Sequence, residues 1–263
     1  MMQPMKKKPL KESIILVTND DGIHAEGLAV LVRVAEQLAG RVVVCAPEVE
    51  QSAASHSLTI HRPLRLRKVA VDRYSVDGTP TDCVLLAINH VFRNEKPDLV
   101  LSGINMGANV ADDVTYSGTI AAAMEATLLG VPAIALSQDI PDGTAAKWQV
   151  AEAEAVQLIQ RLYQVGWERN VLININFPAC EHQQFSGVSV VRHGRHKQGD
   201  DLIERFDPRG RSYFWIGPLR GEMENAADTD IAVLANHGIA VTPLCLDLNF
   251  PPALKRLEDG LAA

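Results

Sequence analysis

The chain predicts an α/β fold: a Rossmann-like, doubly wound, mainly parallel sheet with a strand-rich C-terminal extension. Three observations carry this. Several short apolar runs are continuous rather than alternating, the mark of strands buried on both faces. Segments with helical spacing separate them. Polar stretches follow three of the runs, where a parallel sheet opens its ligand crevice.

Ile14 to Thr18 is the first such strand, and Leu28 to Leu38 the first helix, with Leu28, Leu31, Val32, Ala35 and Leu38 on one face and Gly40 at its end. Val42 to Ala46 is the second strand, stopped by Pro47. Strand, helix and strand in so short a span form a βαβ unit, so the two strands are expected to be parallel. Glu48 to Arg62 has no period and reads as a long functional loop. Leu64 to Val76 holds one or two short strands. Asp77-Gly78 turns the chain, and Thr79-Pro80 opens a helix to about Phe92. Asp98 to Leu101 is the third buried strand, followed by a loop from Ser102 to Ser117 and a helix from Gly118 to Leu129. Ala133 to Ser137 is a fourth strand, Ala145 to Tyr163 a long amphipathic helix, and Val171 to Ile175 a fifth strand. Beyond Pro178, strands are expected at Val188 to Arg192, Ser212 to Ile216 and Ile239 to Leu246, with a charged segment from His193 to Arg211.

The 263 residues fit one large domain, expected over residues 14–263 behind a flexible tail of residues 1–13. Hydrophobic residues make up 47% and charged residues 22%, an ordinary globular composition. A net charge of -7 argues against duplex nucleic acid bound through a basic face and leaves a nucleotide-sized ligand open. Lys6-Lys7-Lys8, between Pro4 and Pro9, reads as part of the tail. No apolar run is long enough to span a membrane, and no signal peptide is visible. Cys45, Cys83, Cys180 and Cys245 form no C-x-x-C pair, so a cytoplasmic protein with reduced thiols is expected.

The first strand ends in Asn19-Asp20-Asp21-Gly22. Two unit charges about 4 Å apart repel by roughly 4 kcal/mol at an effective dielectric of about 20. A divalent cation turns that repulsion into attraction. The loop after strand two offers Ser52, Ser55, His56 and Ser57. Strand three leads into Ser102-Gly103-Ile104-Asn105, then Gly107 and Asn109. Such an all-oxygen set suits Mg²⁺, Mn²⁺ or Ca²⁺ rather than zinc or copper. Tyr116-Ser117-Gly118-Thr119 immediately precedes a helix, whose first turn has free N–H groups and the positive end of the dipole. Each piece alone has an ordinary reading as a helix cap or surface loop. Their placement at successive strand ends points to phosphate chemistry.

The strings LVTNDDGIHAEG, VCAPEVEQSAASHS, DGTPTDCV, PDLVLSGINMGANVADDVTYSGTIAAAMEA and VTPL span about Ile14 to Leu244 in fitting order. On them the chain resembles the SurE family of stationary-phase survival proteins, metal-dependent nucleoside monophosphate phosphatases. The resemblance implies one divalent metal per subunit, Mg²⁺ or Mn²⁺, ligated by Asp20, Asp21, Ser52 and Asn105. It implies phosphate contacts from Asn109, Ser117, Gly118 and Thr119; Asn19 is grouped with them as a substrate contact. It also implies a homodimer or homotetramer with exchanged C-terminal elements, here a hairpin arm at 186–220 and a tail at 247–263. Departures are Glu26 where the family often has proline, Ala111 where glycine is common, and Thr127 after Ala126 where Glu-Gly is frequent. None is a proposed ligand; they bear on loop conformation and substrate preference.

The reaction expected is hydrolysis of nucleoside 5′- and 3′-monophosphates, with short polyphosphate as a further substrate left open. Asp20 and Asp21 are the catalytic candidates, and Asp20 is open between ligand, base and nucleophile. His24 and His56 lie in the site loops and read first as structural or solvated, with assistance to the leaving group as the alternative, while His193, His196 and His237 read as surface or interface. Asp82 reads first as a helix cap. A nucleotide-binding module without turnover is the rival class. A nicotinamide enzyme lacks its G-x-G-x-x-G turn here, and a haloacid-dehalogenase-like phosphatase needs its aspartates one residue apart.

Overall fold

The structure, a computed structural model, describes residues 8–141, 144–195, 202–216 and 226–262. A nine-stranded sheet runs through it. Its strands are β1 (Ile14–Thr18), β2 (Arg41–Pro47), β3 (Leu66–Ala70), β4 (Arg73–Val76), β5 (Leu99–Met106), β6 (Ala133–Gln138), β7 (Val171–Phe177), β8 (Val188–Val190) and β11 (Ile239–Cys245). A separate hairpin pairs β9 (Leu202–Phe206) with β10 (Ser212–Ile216). The helices are α1 (Glu26–Leu38), α2 (Pro80–Leu86), α3 (Gly118–Leu128), α4 (Gln149–Val165), α5 (Asp230–Ala235) and α6 (Pro251–Leu261).

The strand order is β3-β4-β2-β1-β5-β6-β7-β11-β8. β2, β1, β5, β6 and β7 run parallel, as their apolar runs required. β11 returns antiparallel to β7, and β8 lies parallel to β11 at the edge. The chain winds one way from β1 to β2 and the other way through β5, so the topological switch point falls between β1 and β5.

Every residue of β1 is buried, because helices cover both faces. Ile15 and Val17 pack with Leu28 and Leu31 of α1 and with Ile159 of α4. Leu16 packs on the other side with Cys83 of α2 and Ile120 of α3. At the carboxyl ends of the strands this second face turns polar. Register sets Thr18 beside Ser102, Ser137 beside Asn176, and Asn174 beside Thr242, all buried.

The structure corrects several boundaries. β5 does not end at Leu101 but continues to Met106, through a cis peptide at Gly103-Ile104. A side chain at Gly103 would meet the Leu136 carbonyl oxygen at 2.2 Å, so only glycine lets the strand pass there. α4 begins at Gln149 rather than Ala145. The helix from Pro80 is α-helical to Leu86 and then widens into a π turn to Val91. The charged segment from His193 holds β9. The C-terminal segment expected as a tail contains α6. Of the expected N-terminal tail, residues 1–7 lie outside the described residues. Leu10–Glu12 form a 3₁₀ turn, and Ser13 is buried and donates to the Leu10 carbonyl. His196, residues 196–201 and 217–220 of the expected arm, and Ala263 also lie outside the described residues.

Candidate active site

The segment after β1 supplies the centre. Asn19 is fully buried; its Nδ2 donates to the Gly22 carbonyl at 3.0 Å, while its Oδ1 is buried without a hydrogen-bond partner. Asp20 is 4% exposed. Burial pushes its carboxyl above the ordinary range, opposed by the hydrogen bond from Thr119. Asp21 is half-buried, and its carboxyl is pushed up to about 6, first by burial and then by the charge of Asp20. The Met106 N–H, donating to Asp21 Oδ2 at 3.2 Å, opposes that rise.

Neighbouring segments converge on this pair. The Gln51 N–H donates to the Asp20 carbonyl at 2.8 Å, which brings the Ser52 segment to the strand end. The Ser52 hydroxyl itself is exposed and donates to Glu50 Oε1 at 2.6 Å. β5 brings Asn105 beside Met106; its Nδ2 donates to the Gly107 carbonyl at 2.8 Å, which leaves Oδ1 as its acceptor.

The N-terminus of α3 closes on the carboxylates. Thr119 is fully buried and its hydroxyl donates to Asp20 Oδ1 at 2.5 Å. Ser117 caps the helix, its Oγ accepting from the Ile120 N–H at 3.1 Å. A side chain at Gly118 would lie 2.8 Å from Asp20 Cβ and 2.9 Å from its Oδ2. Asp20 therefore touches the start of the helix, and this contact requires glycine.

Asn109 sits further along the β5–α3 loop, anchored to the sheet. Its N–H donates to Asn176 Oδ1 at 2.8 Å, its Nδ2 to Ser137 Oγ at 2.8 Å, and its carbonyl accepts from Asn174 and Asn176. Its expected phosphate contact has to come from what this network leaves free. His56 pairs through Nε2 with Glu125 Oε2 at 2.9 Å, pinning the β2–β3 loop to α3. His24 is exposed. Asp82 acts as a cap: its Oδ2 accepts from the Thr79 N–H and its Oδ1 from the Thr59 N–H.

Sequence reasoning missed Glu50, whose charge raises both Asp20 and Asp21. It missed the asparagine anchors, though two asparagines alternating in the apolar string VLININF were a visible signal. It also missed Glu125 and Asp230, each paired across more than 60 residues.

The donor set fits a hard divalent cation. Asp20 and Asp21 repel each other in a largely desolvated corner, and β5 brings the neutral amide oxygen of Asn105 next to Met106, which bonds Asp21. No group of three or more His, Cys, Asp or Glu placed to hold a metal occurs among the described residues. The charge of such a cation would be balanced by two carboxylates, with neutral oxygens completing the ligand set.

Fold and site together define a Rossmann-like α/β protein whose candidate cation and anion pockets meet at the topological switch point. A family model described as Survival protein SurE matches residues 15–200. The chain belongs to the SurE family. It is 56% identical over 246 residues to the 5'-nucleotidase SurE of Paramagnetospirillum magneticum, covering 94% of this chain and 95% of that protein. The 5'-nucleotidase SurE of Rhodospirillum rubrum is 52% identical over 254 residues, covering 95% and 97%. The crystal structure of the SurE protein from Aquifex aeolicus superposes with a TM-score of 0.82 at 35% identity, over 93% of this chain and 98% of that one.

Proposed function

We propose that the protein is a metal-dependent phosphomonoesterase that hydrolyses nucleoside 5′- and 3′-monophosphates to nucleoside and inorganic phosphate. One observation carries this reading: the buried Asp20 lies against Gly118 and Thr119 at the start of α3, so the proposed cation site would abut the proposed anion site. The relatives named 5'-nucleotidase support the substrate class.

Asp20, Asp21, Asn105 and Ser52 would hold one Mg²⁺ or Mn²⁺. When bound, such an ion lowers the pKa of a water molecule and neutralises phosphoryl charge. The rest falls to the chain. The start of α3, at the positive end of the helix dipole, would receive the non-bridging oxygens. The transition state of phosphoryl transfer is loose, so positioning and electrostatics do most of the work. Water's oxygen bonds to phosphorus, the bond to the nucleoside oxygen breaks, and the nucleoside leaves with a proton. Thr119 fixes the Asp20 carboxylate through its hydroxyl, which suits Asp20 as ligand, base or nucleophile. Trapping a phosphorylated Asp20 with a slow substrate would select the nucleophile.

The same reading makes the protein a cytoplasmic homodimer or homotetramer, with short polyphosphate as an additional substrate to test. Net charge -7 and free cysteines support the compartment and the lack of duplex nucleic acid as a partner. Among the described residues no helix is long and apolar enough to cross a membrane.

The test is phosphate release from a panel of nucleoside 5′- and 3′-monophosphates with Mg²⁺, with Mn²⁺ and with chelator. Metal-dependent release that disappears in Asp21→Ala is the expected result. Full activity retained by Asp21→Ala would sink the site. Nucleotide binding without release under any metal would make the protein a binding module instead.

A further inference from the structure

Asp230 opens α5 and is fully buried. Its carboxylate accepts three backbone N–H groups. Oδ2 takes Ala111 at 3.0 Å; Oδ1 takes Gly194 at 2.7 Å and Ile231 at 2.8 Å. These donors lie in three different segments: the β5–α3 loop, the chain leading into the β9–β10 hairpin, and α5 itself. A buried charge is costly unless hydrogen bonds satisfy it, and bonds to an ionised acceptor are the strong ones. The carboxylate therefore binds the three segments into one unit.

What it holds on the site side is strained. Ala111 has φ +48°, in the left-handed region that a Cβ disfavours. It lies two residues beyond Asn109 and six before Ser117. The turn at Ala111 thus sets how the loop leaves its asparagine anchors and enters the start of α3. Glycine would take this conformation freely; alanine needs to be held.

We infer that Asp230 is a positioning residue that couples the root of the hairpin to the phosphate-binding loop. It touches neither substrate nor reacting atoms. It fixes Ala111, and through it the approach of the loop to the anion site, while its other oxygen reads the position of Gly194. The kinetic arm of the test rests on the phosphomonoesterase reading.

In Asp230→Asn one oxygen becomes an amide nitrogen, which cannot accept from the N–H facing it. KM for a nucleoside monophosphate and the inhibition constant for inorganic phosphate are expected to rise together, about tenfold. The apparent affinity for Mg²⁺ should stay within twofold. Adding Ala111→Gly to that variant should recover most of the loss, since glycine needs no clamp. A lower melting temperature with unchanged KM, or no recovery with Ala111→Gly, would mean that Asp230 only caps α5 and would overturn the inference. A second measurement needs no variant and no turnover. In the wild-type protein with Mg²⁺, inorganic phosphate should slow amide hydrogen exchange at both Ala111 and Gly194. Slowing at Ala111 alone, or at neither, defeats the coupling. A wild type that binds phosphate yet releases none from nucleotides would remove the enzymatic reading while the exchange result still stands.

Discussion

At the scale of single residues the site is defined by crowding. Gly118 has no room for a methyl group, because Asp20 occupies it. Gly118→Ala should push the carboxylate and the helix start apart by a fraction of an ångström to an ångström. Misplacement on that scale costs roughly 10²-fold in turnover. The expected outcome is a loss of about that size in phosphate release, with a melting temperature little changed. Asp21 carries a different consequence. Its carboxyl is raised from 3.8 to about 6, by burial first and the Asp20 charge second. The folded protein therefore holds this proton more tightly than the unfolded chain does. Between about pH 4 and pH 6 the folded state binds more protons at this position, so its contribution to stability falls as pH rises through that window. Above it, the ionised Asp21 is a standing cost in the metal-free protein. Asp21→Asn should raise the melting temperature in chelator at pH 7 by a few degrees, the equivalent of about 1 kcal/mol once solvent screening is allowed for. On the proposed metal site, Mg²⁺ should stabilise the wild type, and the same variant should lose that stabilisation. A variant no more stable than the wild type in chelator at pH 7 would show that the ionised Asp21 carries no such cost.

At the scale of elements, caps and anchors hold the loops that carry the site. α2 begins with a reciprocal capping box, Thr79 and Asp82 each bonding the other's backbone N–H, and Pro80 sits at its first position. Thr79→Ala should cost about 1 kcal/mol. Asp82→Ala removes the box and also the anchor of Thr59, so roughly 2 kcal/mol is expected by chemical denaturation. Equal costs for the two variants would show that the Thr59 bond contributes nothing. The elements most legible in the sequence were those with one kind of neighbour. β1, buried on both faces, was readable as a continuous apolar run, and its bounds are Ile14–Thr18. β5 was misread because Ser102, Gly103 and Asn105 resemble a loop. In fact Ser102 is fully buried beside Thr18, and the strand continues under the start of α3. Polar residues belong there because that end of the sheet faces the site rather than a helix flank. The hairpin itself is expected over 186–220, but the charges of its first strand, which face no core, give β9 no strand pattern. α6 was hidden because none of its residues is buried, so the chain alone gives its apolar stripe nothing to pack on.

At the scale of the whole molecule, the sequence announced the site by placing oxygen chemistry at successive strand ends. It could not announce which distant groups would support it. The asparagines of β7 beneath Asn109, Glu125 beneath His56 and Asp230 beneath Ala111 are joined by topology, which no local pattern encodes. The same limit applies to the far edge of the sheet, where β11 turns antiparallel and seats β8 outside it. Among the described residues two further elements have apolar surface without a cover. The β9–β10 hairpin pairs, among the described residues, only with itself, and Phe214, Trp215 and Ile216 are exposed at 59%, 64% and 75%. A two-stranded hairpin standing alone in water is marginal at best. α6 presents Leu254, Leu257 and Leu261 at helical spacing, all exposed. Two such elements on one chain, each needing a hydrophobic partner, favour association with a second copy. The intact protein is therefore expected to sediment as a dimer or tetramer, with deletion of residues 193–211 lowering the order. Truncation after Leu246 should also lower it, because it removes the α6 stripe while leaving β11 and the site elements in place. The truncated protein should keep metal-dependent phosphate release. The deletion should weaken it, since it also removes the Gly194 N–H from Asp230. A monomeric intact chain, or a deletion that leaves the oligomeric order unchanged, would show that the hairpin meets no second copy.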